Sequence, residues 1–199
     1  MKRFYLSSLL LISFFSFAQD SNLISSKEFQ DNLNKEYATA EESPLTKEDL
    51  AIFHGLDFFL IDEKYIVSAR FVRAKNEKVF QMKTSTNRLP EYVKYGELHF
   101  KLQGKALQLN VYQNIDLIEK EGYEDYLFLP FSDETNGKES YIGGRYIDLR
   151  MQKGKNWSID FNKAYNPYCA YDYKYSCPIV PLENDLPIGI NAGVKKFHD

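Results

Sequence analysis

The sequence predicts a mainly β fold: an antiparallel β-sandwich or barrel of about eight short strands, with two short N-terminal helices. From about residue 65 onward, apolar and polar residues alternate with a period of two, and turns of hairpin length separate the alternating segments. The chain also contains 15 Tyr and 15 Phe among 199 residues, and aromatic residues are enriched in strands.

Two short helical patterns precede the strands. In the first, Ser25 and Glu28 fit a capping box, and apolar residues then recur on one helix face at i, i+4 and i+8: Phe29, Leu33 and Tyr37. In the second, Thr46 and Asp49 form a looser capping box, and Gly55 is placed to end the helix. We expect both helices to pack on one end of the β structure.

The strand segments then follow in order. They are residues 65–72, 80–84, 96–113, 126–131, 141–151, 156–161 and 187–194, of which 96–113 forms a hairpin of two strands. Proline cannot donate to a strand ladder, so Pro130 predicts an edge strand or the end of a strand.

Two hairpins have a predicted register. With Gly104-Lys105 as a two-residue turn, the apolar pairs are Leu102 with Leu107, Phe100 with Leu109 and Leu98 with Val111. With residues 153–155 as the loop of the second hairpin, the apolar pairs are Met151 with Trp157, Leu149 with Ile159 and Ile147 with Phe161. Each register places apolar residues together on the face that we expect to form the core.

The N-terminal segment predicts export. Lys2 and Arg3 precede an apolar run that ends in small residues at the −3 and −1 positions of a cleavage site after Ala18. The run is shorter than the ~20 residues of a membrane span, so an uncleaved anchor is the less favoured alternative. We therefore expect a signal peptide at 1–18 and a single soluble domain at 19–199, periplasmic or secreted and without a membrane span.

Composition and motifs exclude several classes of function. The formal net charge of −3 becomes −5 when Lys2 and Arg3 are removed, and the chain has no basic stripe to bind nucleic acid. It also lacks a Gly-x-Ser-x-Gly elbow, a His-Glu-x-x-His motif and a phosphate-binding glycine loop. We expect no cofactor, and the motifs leave open whether the protein is an enzyme.

The only two cysteines, Cys169 and Cys177, are separated by seven residues. A zinc site needs three or four ligands, and the histidines His54, His99 and His198 are scattered along the chain, so no metal site is expected. A catalytic cysteine would need a histidine that only the fold could bring. In an oxidising compartment such a pair forms a disulfide, which stabilises by about 2.5 kcal/mol on the entropic model. Two free buried thiols are the alternative.

Five tyrosines surround the cysteines: Tyr165, Tyr168, Tyr171, Tyr173 and Tyr175. Rings with a polar tip line ligand grooves and stack on sugars, but they also form the apolar anchor that a long loop needs. The length of this loop favours the anchoring interpretation.

Arg145 is predicted to point inward. It shares one side of its strand with Ile147 and Leu149, which belong to the expected core face. A buried guanidinium keeps its charge and needs a partner. The structural interpretation is an internal carboxylate (Asp133, Asp160 or Glu183) or loop carbonyls, and the functional interpretation is an anionic ligand bound at the mouth of the fold.

Seven segments together resemble, in order and spacing, the domain-of-unknown-function family 1684. They read FHGLDFF, FQMKTST, YGELHFKLQG, FSDETNGKESYIGGRYIDL, IDFNKAYNPYCAY, CPIVPLEND and INAG, and they cover about Phe53 to Gly193. The family usually has Glu at the position of Val194, so no role for that acid is carried over. The resemblance implies one domain without an established activity, and relatives that keep both cysteines without an export signal.

These observations lead to two hypotheses. The first is an exported β-domain of unknown activity that binds a small molecule, a glycan or a protein partner, with an anionic ligand at Arg145. The alternative is a hydrolase-like enzyme that uses Arg145 and nearby carboxylates. The candidate ligand-binding residues are Arg145, Tyr141, Asp133, Asp160, Asn162, Asn166 and Asn184.

Overall fold

The computed structural model describes residues 16–198, with side chains from residue 25 onward. Two helices, α1 (Ser16–Ala38) and α2 (Lys47–Ala51), precede the sheet. The eight strands are β1 (Ile66–Arg73), β2 (Phe80–Gln81), β3 (Glu91–Leu102), β4 (Lys105–Asn114), β5 (Tyr126–Asp133), β6 (Arg145–Arg150), β7 (Asn156–Asp160) and β8 (Asp185–Leu186). Most of the predicted signal peptide lies outside the described residues, and the predicted cleavage point after Ala18 falls within α1.

The strands form one curled sheet in the order β6-β5-β4-β3-β1-β7, with β2 paired to β3 and β8 to β5. All pairs are antiparallel except β5–β8, which is parallel. The inner face holds one apolar core with contributions from every strand except β2. The predicted mainly β class and the number of about eight strands are confirmed, but the last strand is β8 and the predicted strand at 187–194 is wrong. The architecture is a half-barrel whose edge strands, β6 and β7, do not pair with each other.

The β3–β4 hairpin has a register that differs by two residues from the predicted one. Phe100 pairs with Leu107 and Leu98 with Leu109. The turn is Gln103-Gly104, with φ of 50° and 77°, and a tight type I′ turn requires positive φ at both central residues. Because side chains alternate with a period of two, a shift of two residues leaves the predicted apolar face in the core.

The predicted β6–β7 hairpin is wrong. Leu129 on β5 pairs with Ile147 on β6, and Ala69 on β1 pairs with Trp157 on β7, so the two strands lie at opposite edges of the sheet. Their apolar faces are nevertheless in the core as predicted, because alternation determines the face but not the neighbour. Gln152, which follows β6, binds the backbone of Ser158 on β7 with its side-chain amide. Its Oε1 accepts from the Ser158 amide at 2.8 Å, and its Nε2 donates to the Ser158 carbonyl at 3.0 Å.

Pro130 lies inside β5, between β4 and β6, where the sequence predicted an edge or a strand end. The β4–β5 ladder includes only the pair Tyr112 and Phe128, so the two strands separate near the proline. There the Asn184 side chain accepts from the Asn110 amide at 2.8 Å and donates to the carbonyls of Asn110 and Pro130 at 2.9 and 2.6 Å. A side chain thus replaces the ladder hydrogen bonds at the residue that has no N–H.

Helix α1 is longer than predicted, since it begins at Ser16 and passes through the proposed capping box at Ser25. Its predicted stripe packs as expected, with Leu33 and Tyr37 buried in a second apolar cluster outside the half-barrel. Helix α2 is capped by Thr46 as predicted and ends at Ala51, before Gly55. No helix among residues 16–198 has the length and apolar character of a membrane span.

Candidate functional site

Arg145 points into the core, as its position in the strand predicted, and its side chain has no exposed surface. Nη2 donates to Asp133 Oδ2 at 2.8 Å and to the Ile190 carbonyl at 2.7 Å. Nη1 donates to the carbonyls of Ala192 and Val194. One guanidinium therefore holds three alternate carbonyls of the C-terminal segment against the end of β6.

Asp133 completes this network. Its Oδ1 accepts from the amide and hydroxyl of Thr135, at 2.9 and 2.6 Å, and from the Ile190 amide at 3.0 Å. Desolvation lowers the pKa of Arg145 from its ordinary value, and the adjacent Asp133 carboxylate opposes that effect. Arg145 is thus paired as the structural interpretation expected, with an internal carboxylate and with loop carbonyls. Neither charged side chain is exposed to solvent.

The other candidate ligand residues are hydrogen-bonded within the fold. Asp160 caps a short 3-10 helix by accepting from the Asn162 amide at 3.0 Å. Asn162 bonds the backbone of Asp62 with both ends of its amide, and Asn166 donates to the Lys195 carbonyl at 2.8 Å. Tyr141 lies near Cys169, at 3.8 Å from hydroxyl to Sγ, and Asn184 bridges β4 and β5. None of the seven candidates lines the cavity between α1, the outer face of β6 and the cysteine loop.

A cavity of about 380 Å³ lies between α1, the outer face of β6 and the loop that carries the cysteines. It is lined by Phe29, Leu33, Glu36, Tyr146, Asp148, Tyr165, Pro167, Tyr168, Tyr175, Ser176, Cys177 and Pro178. The loop is held in place by backbone pairing of Tyr165 with Tyr146, and of residues 177–179 with residues 83–85. The volume falls in the range of small-molecule sites.

Asp148 supplies a carboxylate to this cavity. Its Oδ1 accepts the hydroxyls of Tyr126 and Tyr165, each at 2.7 Å. Its Oδ2 accepts no hydrogen bond from the described residues. The carboxylate is reached by solvent through the open cavity although protein surrounds it on the other sides. Burial raises its pKa above the ordinary value, against the opposing effects of the two phenols and of Arg150.

Three cavity tyrosines use their hydroxyls to bind the protein itself. Tyr165 donates to Asp148, Tyr168 donates to Glu36 Oε1 at 2.9 Å, and Tyr146 donates to the Pro178 carbonyl. Burial raises the pKa of each of these three phenols, which keeps them protonated at neutral pH. The rings therefore present neutral aromatic surface to the cavity, with their donors already engaged.

Both cysteines are free thiols in this structure, Cys177 in the cavity wall and Cys169 behind it. The Cys169 amide donates to Cys177 Sγ at 3.1 Å. Hydrogen bonding from the Cys177 thiol, together with the hydroxyls of Tyr141 and Ser85, lowers the pKa of Cys169 to about 6. The Cys177 pKa is correspondingly raised. The predicted disulfide is not formed here, and the geometry is that of a close dithiol.

No group of three or more His, Cys, Asp or Glu side chains in the described part of the chain is arranged to hold a metal ion. Of the cavity residues, the sequence predicted Tyr165, Tyr168 and Tyr175 mainly as loop anchors and Cys177 as one partner of a disulfide. It did not associate α1 with the site. The one feature of the sequence that could have indicated the cavity is the length of the tyrosine-rich loop, because a long loop must lie over some other part of the fold.

The comparisons with known proteins agree with this fold. The family described as "Protein of unknown function (DUF1684)" matches residues 51–195. The solution NMR structure of an uncharacterized protein from Haloarcula marismortui is 29% identical, over 89% of this chain and 96% of that chain, with a TM-score of 0.71. No curated protein matches the sequence. The match spans the whole sheet and the cysteine loop, and this chain therefore belongs to the DUF1684 family.

Proposed function

We propose that this protein is an exported β-domain that binds a small molecule in the cavity between α1 and the cysteine loop. The observation that carries the proposal is the Asp148 carboxylate, which two tyrosines hold at the cavity through one oxygen while the other oxygen stays available. A mostly aromatic cavity with a few convergent polar groups is the usual form of a small-molecule site.

The location and the redox state of the protein form part of the same proposal. The N-terminal sequence favours delivery to the periplasm or the medium, and oxidising conditions there would convert the adjacent Cys169 and Cys177 into a disulfide. Because Cys177 lies in the cavity wall, such a bond would hold that wall in place.

A thermal-shift screen of the exported protein against metabolites and glycans tests the proposal, because a ligand that binds the folded state raises its stability by mass action. A hit at this cavity should be lost in Tyr175→Ala, which removes a ring from the lining. It should be kept in Tyr173→Ala, since that ring lies two residues away and is 93% exposed. Hits that are insensitive to Tyr175→Ala would place binding elsewhere.

A further inference from the structure

We infer that the ligand of this cavity is an organic cation with an ammonium headgroup, held between Asp148 and the tyrosine rings. This inference rests on the proposed function and adds the chemical class of the ligand. It differs from the anionic ligand that the sequence suggested at Arg145, because the two places have opposite electrostatic character.

The charge of the cavity lining points to a cation. Asp148 and Glu36 are acidic, and no Lys, Arg or His is among the described residues of the lining. Three basic side chains near the lining are already engaged. Lys174 Nζ pairs with Asp172 Oδ2 at 2.9 Å and lies 4.9 Å from the centroid of the Tyr175 ring. Arg150 donates to Asp125 Oδ1 at 2.7 Å and to the Gly122 carbonyl at 2.6 Å, and Arg88 donates to the carbonyl of Ser176 at 2.7 Å.

Asp148 lacks a counter-charge. Asp148 makes no ion pair with the described residues, and its side chain is exposed at the cavity, so a ligand can reach it. Its neighbours within hydrogen-bond distance are the phenols of Tyr126 and Tyr165, which leave Oδ2 for a partner from outside the protein. A bound ammonium group would supply the charge that the fold itself does not.

The hydrogen-bonding capacity of the lining also favours a cation over a neutral sugar or an anion. The hydroxyls of Tyr146, Tyr165 and Tyr168 are donated to protein acceptors. Among the described residues, Asp148 and Glu36 each accept hydrogen bonds through one oxygen only, so each retains the other oxygen as an acceptor. An anion or a sugar needs donors from the site, whereas an ammonium ion needs only acceptors and aromatic faces.

The lining tyrosines pack edge to face in two pairs. Tyr146 and Tyr165 have ring centroids 5.9 Å apart with planes at 89°, and Tyr168 and Tyr175 are 5.3 Å apart at 63°. Aromatic rings that meet at large angles form the cages in which proteins bind quaternary ammonium groups, because each face carries negative quadrupole potential. Burial keeps the buried phenols uncharged, and Asp148 adds a full negative charge beside them.

The test uses choline and its neutral isostere 3,3-dimethylbutan-1-ol, which have nearly the same shape. Isothermal titration calorimetry on the exported protein should give an affinity for choline at least about tenfold higher than for the isostere. Asp148→Asn keeps an acceptor for both phenols and removes the charge, so it should lower the choline affinity by about tenfold or more. Asp116→Asn, which neutralises an exposed carboxylate outside the lining, is the matched control and should leave the choline affinity unchanged.

Equal affinities for choline and the isostere, or choline binding that is unchanged in Asp148→Asn, would overturn the cation assignment. Absence of choline binding at millimolar concentration would overturn it as well. None of these outcomes decides whether the cavity binds a small molecule, because the thermal-shift screen tests that proposal separately. A neutral glycan or an anion that loses binding in Tyr175→Ala but not in Tyr173→Ala would keep the cavity as the site and reject the cation.

Discussion

Arg145 and Asp133 form an ion pair, with 2.8 Å between Nη2 and Oδ2, and neither side chain has exposed surface. The guanidinium also binds the carbonyls of Ile190, Ala192 and Val194, so the pair joins the end of β6 to the C-terminal segment. Within that segment Gly193 lies close to the backbone of Ala164, since its φ is +77° and an added Cβ would lie 2.4 Å from the Ala164 carbonyl oxygen. The pair therefore anchors the C-terminal segment to the ends of β5 and β6.

Arg145→Met should destabilise the protein strongly, by about 3–5 kcal/mol or more, because it leaves Asp133 as an uncompensated buried charge. Arg150→Met on the same strand is the control: Arg150 is about half exposed and pairs with Asp125 at the surface, so its loss should cost about 1 kcal/mol or less. Urea denaturation measures both. Similar midpoints for the two variants would contradict the structural role of Arg145.

Leu109→Asp should unfold the protein, because Leu109 has no exposed surface and an unpaired buried carboxylate is very costly. Gln108→Asp, at the adjacent exposed position, should change the free energy of unfolding by about 0.5 kcal/mol or less. Circular dichroism and thermal unfolding distinguish the two. If the variants behave alike, the assignment of faces in the β3–β4 hairpin is incorrect.

If the protein is exported as proposed, Cys169 and Cys177 should be joined, so that its intact mass without reductant is two hydrogens below that of the dithiol. In the reduced protein, alkylation of Cys169 should follow an apparent pKa of about 6, well below that of an ordinary thiol. Cys177→Ala removes the principal hydrogen bond to that thiolate and should raise the apparent pKa. Two free thiols after export, or an alkylation pKa that Cys177→Ala leaves unchanged, would refute these expectations.

The stability of Asp148→Asn relative to the wild type should increase as the pH rises. Burial raises the Asp148 pKa in the folded protein above its unfolded value of about 3.9, and this outweighs the hydrogen bonds from Tyr126 and Tyr165 and the charge of Arg150. The protonated form therefore favours folding below the unfolded pKa, and that contribution is lost as the pH rises through the folded pKa. The side chain of the Asp148→Asn variant cannot ionise, so the variant does not lose this contribution to stability as the pH rises.

The measurement for this prediction is the difference in Tm between Asp148→Asn and wild type, from about pH 3 to pH 7. Asp125→Asn provides the comparison, since Asp125 is about half exposed and pairs with Arg150 at the surface. A Tm difference for Asp148→Asn that does not grow with pH would show that burial does not raise the Asp148 pKa.

The direction in which each strand residue points was determined by the sequence alone. The apolar faces around Leu98, Leu109 and Ile147 are in the core as predicted, and Arg145 points inward with them. Side-chain direction in a strand is a local property, because successive residues alternate between the two faces of the sheet. Local patterns also identified the cap at Thr46 and the segments of β1 to β7, whereas the predicted strand at 187–194 is absent and the last strand is β8.

Only the tertiary structure decided which segments are neighbours. The β3–β4 register differed by two residues, and β6 pairs with β5 instead of β7, because every such arrangement satisfies the same alternation. The cavity depends on the same kind of information: Tyr168 on the cysteine loop bonds Glu36 on α1, across 132 residues of sequence. Contacts between segments so far apart follow from the packing of the whole chain, and no local pattern specifies them.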